Sequence, residues 1–309
     1  MDWLASLLPS DFGSHYYFFA VAVIVLGGLY LNDLCNGENT IQGDANLIFY
    51  GYSAHDGPAV WMRHFATAAE GKAQSPINLK EKYAVVVPTE TSPPLVFSAD
   101  FHAAPAEMKI YNNSHNVVVY AAWPSGRSPS LVGGPLAEDY SFVNARFRWG
   151  PNDHEGSEHM VNSTRFAMEL QAAFVKTSFG SEDILEAASS GALLMLSYLF
   201  MVTPLDNPYL EPIIGSLKYL RYPMSCICIE PVILSLLMPD FSREYYSYSG
   251  SLTFPPCTEG VTWIVKPEPL MISSRQIKQF RKLHGCRGRI ETNTRPVQKI
   301  EDRDVFYYD

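Results

Sequence analysis

Two arginines separated by a single residue carry the first chemical signal of this sequence. Arg146 and Arg148 alternate with Phe147 and Trp149, and Gln171 lies in a second alternating stretch further along the chain. Residues two apart in a β-strand point to the same face, so we expect both arginines on one face and both rings on the other. A buried guanidinium costs several kcal/mol unless it is paired and hydrogen-bonded. The pattern therefore predicts an unusual cationic site on one face of a sheet.

The overall charge excludes one large class of partners. The 309 residues carry a formal net charge of −9. Nucleic-acid binding depends on clustered Lys and Arg that neutralise phosphates, so this acidic balance argues against it. The one basic cluster, Arg281, Lys282, Arg287 and Arg289, is interpreted as a solvated helix end and loop.

The N-terminal segment 1–33 contains an uncharged hydrophobic run over residues 16–31. Its length fits a signal-peptide core or a short membrane anchor, and a buried helix of the domain itself is the remaining interpretation. No Lys or Arg precedes the run, so the positive-inside rule does not set its orientation. We expect this run to bring the chain to a membrane or outside the cell, and a cytoplasmic location is less favoured.

The rest of the chain is predicted to be a linker over residues 34–46, which is polar and rich in turn residues, followed by one domain over residues 47–309. Two sequons make Asn112 and Asn162 candidate glycosylation sites if the domain faces the lumen or the outside of the cell.

Short apolar stretches broken by Pro, Gly and Asn indicate a domain that is mainly β, of the α+β class. The predicted strands are 108–111, 116–122, 142–149, 166–174, 193–202, 225–230 and 261–265. Helical spacing predicts three helices. The first follows Asn207-Pro208, with Leu210, Ile213, Ile214 and Leu217 on one face; the second is capped by Ser273-Ser274 and stopped at Gly285; the third and weakest covers 181–188.

Several ordered motifs from about residue 47 to the C-terminus resemble the α-type carbonic anhydrase family. They are Gln74-Ser75-Pro76-Ile77-Asn78-Leu79, Asn112-Asn113-Ser114-His115, Phe147-Arg148-Trp149-Gly150, Gly156-Ser157-Glu158-His159, Glu169-Leu170, Gly250-Ser251-Leu252-Thr253-Phe254-Pro255-Pro256, Val261-Thr262-Trp263 and Asn293-Thr294-Arg295-Pro296-Val297-Gln298. The resemblance implies a single domain around a large, twisted, mostly antiparallel central sheet with a conical cavity and a few surface helices.

The resemblance also implies where a zinc ion would bind in active relatives. Those proteins use three histidines, whose positions are occupied here by Arg146, Arg148 and Gln171. A guanidinium has no lone pair to donate, and a glutamine carbonyl is a weak ligand. Each guanidinium would also repel the dication, by roughly 4 kcal/mol per pair of unit charges at 4 Å and an effective dielectric of 20. We therefore expect no zinc and no other cofactor.

Other positions of the family's pocket are retained. The resemblance matches Glu158 and Thr253 to the pair that orients the zinc-bound hydroxide, His115 to the proton shuttle, and Tyr52 to the solvent network. Without a metal, we interpret Glu158 and Thr253 as a polar pair that neutralises an arginine, and His115 as a rim residue. Ala173, Leu252, Val261 and Trp263 match the apolar wall of the pocket, and Phe254 is expected to narrow the cavity floor.

The leading hypothesis is a carbonic anhydrase-related protein that is catalytically inactive and serves as a module for binding a protein partner. The alternative is an enzyme that hydrates carbon dioxide or hydrolyses esters through a displaced zinc site. The histidines offer no metal-binding spacing to support that alternative. A third hypothesis places an anion on Arg146 and Arg148. An internal ion pair with Glu158 or another acid is preferred over that anion.

Overall fold

A computed structural model describes residues 50–309, so the hydrophobic run 16–31 and the predicted linker 34–46 lie outside the described residues. The strands are β1 (Asn78–Leu79), β2 (Val85–Val87), β3 (Val96–Phe97), β4 (Glu107–Asn112), β5 (Val117–Ala122), β6 (Ser130–Gly133), β7 (Leu136–Trp149), β8 (Met160–Val161), β9 (Met168–Lys176), β10 (Leu193–Thr203), β11 (Cys226–Ile229), β12 (Tyr245–Ser251), β13 (Glu259–Ser273), β14 (His284–Gly285), β15 (Gly288–Arg289) and β16 (Phe306–Tyr308). The helices are α1 (Pro58–His64), α2 (Ala66–Glu70), α3 (Ile184–Ser189), α4 (Glu211–Ser216), α5 (Leu234–Leu237) and α6 (Ser274–Phe280).

The dominant element is a twelve-stranded sheet with the order β11-β4-β5-β7-β9-β10-β13-β12-β16-β2, to which β6 and β3 add beside β7. Its strand pairs are antiparallel except β10 with β13 and β16 with β2. The predicted large and mostly antiparallel sheet is confirmed. All seven predicted strands lie in it. Most ends differ by one or two residues, but β7 begins at Leu136 instead of residue 142, and β13 continues to Ser273 instead of ending at residue 265.

Strand β7 shows how alternation divides the interior between the two faces of the sheet. Phe147 and Trp149 pack on one face against Phe280 of α6, with ring centroids 4.9 and 5.5 Å away. Arg146 and Arg148 lie on the other face, as the spacing predicts, above the ring of Phe254. Because each face has its own buried apolar cluster, the arginines enter the protein interior rather than solvent.

The helices begin where capping residues predict them. Asn207 caps a 3₁₀ turn that leads into α4, and Ser273 forms a capping box with Gln276 at the start of α6. Helix α3 begins after Asp183, whose carboxylate accepts two backbone N–H groups. The predicted end of α6 at Gly285 is wrong. The helix ends at Phe280, and the backbone N–H of the residue before Gly285 bonds instead to the carbonyl of Arg221.

The interpretation of Arg281 as part of a solvated helix end is also wrong. Its side chain is buried, donates to the carbonyl of Gly150 and pairs with Asp153, with N–O distances of 2.8 Å in both cases. Over residues 50–309, no helix combines the length and apolarity needed to cross a bilayer.

Two glycines differ in the space that surrounds their Cα atoms. A Cβ on Gly156 would lie 1.6 Å from the carbonyl oxygen of Ala167, whereas a Cβ on Gly215 in α4 would meet nothing within 4 Å. We predict that Gly156→Ala lowers the free energy of unfolding by about 1–3 kcal/mol or more. Gly215→Ala should change it by less than about 1 kcal/mol. Equal effects in urea denaturation would contradict this packing.

Candidate functional site

The three positions that the resemblance matches to zinc ligands lie side by side on two neighbouring strands. Arg146 and Arg148 lie on β7 and Gln171 on β9, and the antiparallel register places Arg146 directly opposite Gln171. The exposed fraction of the side chains is no more than 3% for any of the three. The register alone therefore brings two guanidinium groups and one amide into the same buried space.

Arg148 and Gln171 bind each other and a buried acid. The Nε of Arg148 donates to Oε1 of Gln171 at 3.1 Å and lies 3.4 Å from Oε2 of Glu158. Both members of the Arg148–Glu158 ion pair are inaccessible to solvent. The structure thus has the internal ion pair that sequence reasoning preferred, and Arg148 is the arginine that forms it.

The remaining N–H groups of Arg148 reach three further elements of the chain. One terminal nitrogen donates to the hydroxyl of Tyr52 at 2.8 Å and to the carbonyl of Asn293 at 3.2 Å. The other donates to the hydroxyl of Thr253 at 3.3 Å. The threonine hydroxyl, which the resemblance assigns to a nucleophilic water, here accepts a hydrogen bond from a guanidinium.

Gln171 joins Glu158 to a second buried carboxylate, that of Glu169. Its amide nitrogen donates to Oε2 of Glu158 at 2.7 Å and to Oε1 of Glu169 at 2.8 Å. Glu169 also accepts from the ring of His159 and the hydroxyl of Ser197, each at 2.8 Å. Its other oxygen accepts the backbone N–H groups of Glu158 and His159. Both carboxylates are therefore tied into one continuous network.

The pKa values of the charged groups in the network are shifted in different directions. Burial raises the pKa of Glu158, although the Arg148 guanidinium opposes that shift. Burial acts in the same direction on Glu169, but His159 and several hydrogen bonds outweigh it and lower the pKa of Glu169 to about 2. Burial alone would lower the pKa of Arg148, but Glu158 and Tyr52 raise it well above its ordinary value. Arg148 therefore stays protonated throughout the physiological range.

Arg146 contacts a neighbouring amide and an aromatic ring in the same space. Its Nε donates to Oδ1 of Asn144 at 3.2 Å, and its guanidinium lies 5.0 Å from the centre of the Phe254 ring. The guanidinium of Arg148 lies 5.7 Å from the same ring. Cations over an aromatic face are attracted by its negative quadrupole, so the Phe254 ring stabilises both guanidinium groups.

The other residues predicted for the pocket surround this network. Burial raises the pKa of the Tyr52 hydroxyl to about 12, with Arg148 opposing the shift, so that hydroxyl remains protonated at neutral pH. His115 is buried and stacks on Tyr50, with ring centroids 4.0 Å apart. The four predicted wall residues, Ala173, Leu252, Val261 and Trp263, lie in one buried apolar cluster with Phe254.

The two predicted glycosylation sites differ in accessibility. Asn112 is wholly buried, and its amide nitrogen donates to the carbonyls of Leu220, Tyr222 and His284. The prediction of a glycan on Asn112 is wrong for the folded chain, because the acceptor nitrogen is enclosed and bonded. Asn162 is exposed, and glycosylation there stays a prediction.

The donors at the ligand positions do not fit a zinc ion. Zinc sites use neutral imidazole, thiolate or carboxylate donors, and neither Arg146 nor Arg148 has a lone pair at any accessible pH. The one carbonyl oxygen of Gln171 accepts from Arg148. No group of three or more His, Cys, Asp or Glu able to hold a metal occurs between residues 50 and 309.

Sequence reasoning quoted two residues central to the network only as parts of motifs and gave them no role in the site. Glu169 lies two residues before Gln171 on β9, so the same alternation could have placed its carboxylate on the cavity face. Asn293 binds the backbone of β7 through its side chain and accepts from Arg148 through its carbonyl. The closing motif of the resemblance includes Asn293, but nothing local gives its role, because its partners are far away in the sequence.

A large, mostly antiparallel sheet that carries on one face the three positions matched to zinc ligands is consistent with the carbonic anhydrase fold. The chain belongs to the eukaryotic-type carbonic anhydrase family, whose sequence profile matches residues 56–309. It is 34% identical over 255 residues to the carbonic anhydrase-related protein of Rattus norvegicus, covering 77% of this chain and 83% of that protein. The human protein of that name is 35% identical with the same coverage. Mouse carbonic anhydrase 7 is 34% identical over 268 residues, covering 83% of this chain and 96% of that protein.

The stability of the fold should depend on the Arg148 guanidinium, which neutralises the buried Glu158 carboxylate. We predict that Arg148→Met lowers the free energy of unfolding by about 3–5 kcal/mol, because Glu158 is left buried without its counter-ion. Arg148→Met combined with Glu158→Gln should recover part of that loss. Arg275→Met, which breaks an exposed pair with Asp206, is the matched control and should change stability little. A loss no larger than that of the control would contradict the role of the pair.

The pKa of Glu169 should lie below that of an ordinary glutamate, and the pKa of Glu158 should lie above it. The pKa of Glu169 is lowered to about 2 in the folded chain, against about 4.5 when unfolded. Its contribution to stability is therefore fully present above pH 4.5 or so and is lost as the pH falls from about 4.5 to about 2. Glu158 has a raised pKa, so its ionisation opposes folding as the pH rises above the same unfolded value. Carbon-detected NMR of ¹³C-labelled glutamate measures both. A Glu169 that titrates above Glu158 would contradict the assignment.

Proposed function

We propose that this chain is a catalytically inactive member of its family that binds no zinc at the three ligand positions and acts as a module for binding a protein partner. One observation carries the proposal. Arg148 and Gln171 direct their polar atoms at each other and at Glu158, inside a space that solvent does not reach. A zinc ion activates water through an open coordination position, and this arrangement does not support such an ion.

The electrostatics of the space support the same proposal. Arg148 is held permanently charged, and a dication placed 4 Å away would be repelled by roughly 8 kcal/mol at an effective dielectric of 20. Glu158 could offset this repulsion only by giving up its pair with Arg148. That exchange would leave a buried guanidinium without a counter-ion, which is itself costly.

The pocket residues inherited from the family have other partners. The hydroxyl of Thr253 accepts from Arg148, and the raised pKa of Tyr52 keeps its proton in place. These groups support the arginine instead of an attacking water. We therefore propose no catalytic role for Glu158, Thr253, His115 or Tyr52.

The alternative, carbon dioxide hydration or ester hydrolysis through a displaced zinc, has less support. The part of the chain between residues 50 and 309 has no cluster of donors for such a site. The names of the relatives do not choose between the two functions, since both carbonic anhydrase-related protein and carbonic anhydrase 7 are about equally similar.

An anion on Arg146 and Arg148 is also less supported. The guanidinium of Arg148 already donates to Gln171, Tyr52, Asn293 and Thr253. An anion would have to displace those protein acceptors. Attachment to a membrane or export from the cell depends on residues 16–31 and stays a prediction, which protease protection on isolated membranes tests.

Restoring the missing ligands provides the test of inactivity. We predict that the wild-type chain, incubated with zinc and desalted, retains no stoichiometric zinc and does not accelerate carbon dioxide hydration or ester hydrolysis. The variant Arg146→His/Arg148→His/Gln171→His should retain zinc, because it supplies three neutral imidazoles on the same two strands. Elemental analysis and stopped-flow hydration measure both.

The controls separate zinc at this site from zinc elsewhere. Adding Thr253→Ala to the triple variant should preserve zinc but reduce any recovered hydration, because the hydroxide would lose its orienting group. Calorimetric titration of the wild type with bicarbonate should give no heat. Stoichiometric zinc with measurable hydration in the wild type would overturn the proposed inactivity.

A further inference from the structure

A second feature of the chain is a basic surface with exposed tyrosines, outside the arginine network. It is built from two segments, residues 217–225 and 281–289, neither of which contains Asp or Glu. Both segments are rich in Lys and Arg, in a chain with a net charge of −9. The charge of this surface is therefore opposite to that of the protein as a whole.

Buried Asn112 holds the two segments together. Its amide nitrogen donates to the carbonyls of Leu220 and Tyr222 in one segment and to that of His284 in the other. Its backbone adds bonds to Met224 and to the residue that follows it. The backbone N–H of His284 also donates to the carbonyl of Arg221, at 2.8 Å. The relative placement of the segments is thus fixed by buried hydrogen bonds.

Two exposed tyrosine rings lie on the first of these segments. Tyr219 is 61% exposed and Tyr222 is 68% exposed, although the buried neighbours Leu217 and Leu220 anchor the same turn. The ammonium of Lys218 lies 4.8 Å from the centre of the Tyr219 ring. The rings of Tyr222 and His284 lie 6.0 Å apart.

The positive charges divide into those that are neutralised and those that are available. Arg281 pairs with Asp153, and Arg287 pairs with Asp56. Lys218, Arg221, Lys282 and Arg289 have no carboxylate within ion-pair distance among residues 50–309. Lys282 donates to the side-chain oxygen of Gln279, and Nε of Arg289 donates to the backbone carbonyl of Arg281. Arg289 lies opposite His284 in the β14–β15 pair, so its side chain shares a face with that ring. We name Lys218, Tyr219, Arg221, Tyr222, His284 and Arg289 the Tyr219–Tyr222 surface.

We propose that the Tyr219–Tyr222 surface docks an acidic segment of a partner protein, one that combines Asp or Glu with apolar side chains. Exposed Tyr and Arg on a rigid backbone are typical of the residues that dominate protein interfaces. The cations supply charge complementarity to carboxylates. This inference deepens the binding role proposed above and rests on it, but it does not depend on the absence of zinc.

Charge and size favour a protein segment over other acidic ligands. Nucleic-acid binding draws on many phosphate contacts, whereas this surface offers only a few available cations. A flat anionic bilayer would bring more of the acidic chain close to like charge. A narrow acidic segment can contact the basic surface alone.

Selection of binding peptides on the full-length chain provides the test. The probe is a random peptide library presented to the full-length chain. We predict that the selected peptides are enriched in Asp and Glu beside aromatic or aliphatic residues. Binding of synthetic copies is then measured by fluorescence anisotropy.

The structure supplies a matched control for charge. The double variant Lys218→Glu/Arg221→Glu should bind the selected peptides about tenfold more weakly or worse, since interface hot spots have effects of that size. Lys80→Glu/Lys82→Glu makes the same change in net charge beside Tyr83, another exposed tyrosine with lysines over its ring. This control should weaken binding less than about threefold. Equal losses would reduce the effect to non-specific attraction and overturn the proposal.

A further variant separates docking from charge alone. Tyr222→Ser keeps the net charge and should also weaken binding by about tenfold. Unchanged thermal unfolding midpoints show that the exposed substitutions leave the fold intact. Peptides that are not acidic, or preferential binding to phosphatidylserine vesicles or duplex DNA, would overturn the proposal. Zinc and hydration assays on the same wild-type preparation show separately whether the proposed inactivity fails.

Discussion

The buried ion pair between Arg148 and Glu158 is the constraint on which the rest of the site depends. A guanidinium taken out of water must have both a counter-charge and acceptors for its N–H groups, or it destabilises the fold by several kcal/mol. Glu158 supplies the counter-charge, and Gln171, Tyr52 and Thr253 supply acceptors. The geometry of the site therefore follows from the need to surround a buried cation with a counter-charge and hydrogen-bond acceptors.

Gln171 makes the arrangement of two buried acids workable. An amide has a carbonyl to accept from Arg148 and an NH₂ group that donates to Glu158 and Glu169 at once. A neutral imidazole at the same position has one donor and one acceptor, so it could not satisfy all three neighbours. The substitutions at the ligand positions are thus chemically consistent with one another. Arginine on β7 calls for an acceptor on β9, and glutamine provides it while bridging the carboxylates.

The buried network and the outer surface of the protein differ in the groups that they offer to a ligand. Inside, the polar groups of the network are bound to one another, and the raised pKa of Tyr52 leaves its hydroxyl protonated. Outside, the acidic chain carries a basic surface on which tyrosines are displayed by a buried asparagine. A family fold that keeps its sheet and displays aromatic and basic residues on a fixed backbone is suited to recognition.

The alternation of residues and the ordered motifs were sufficient to predict the family, the mostly antiparallel sheet and the opposite facing of Arg148 and Trp149. These features follow from local periodicity and from contiguous motifs, which a single sequence contains. Tertiary structure alone decided that Arg148 is the partner of Glu158, that Glu169 lies at the centre of the network and that Asn112 is enclosed. The physical reason is that a buried polar side chain is defined by its partners, and those partners come from strands and loops distant in the sequence. No local pattern records which of them will meet.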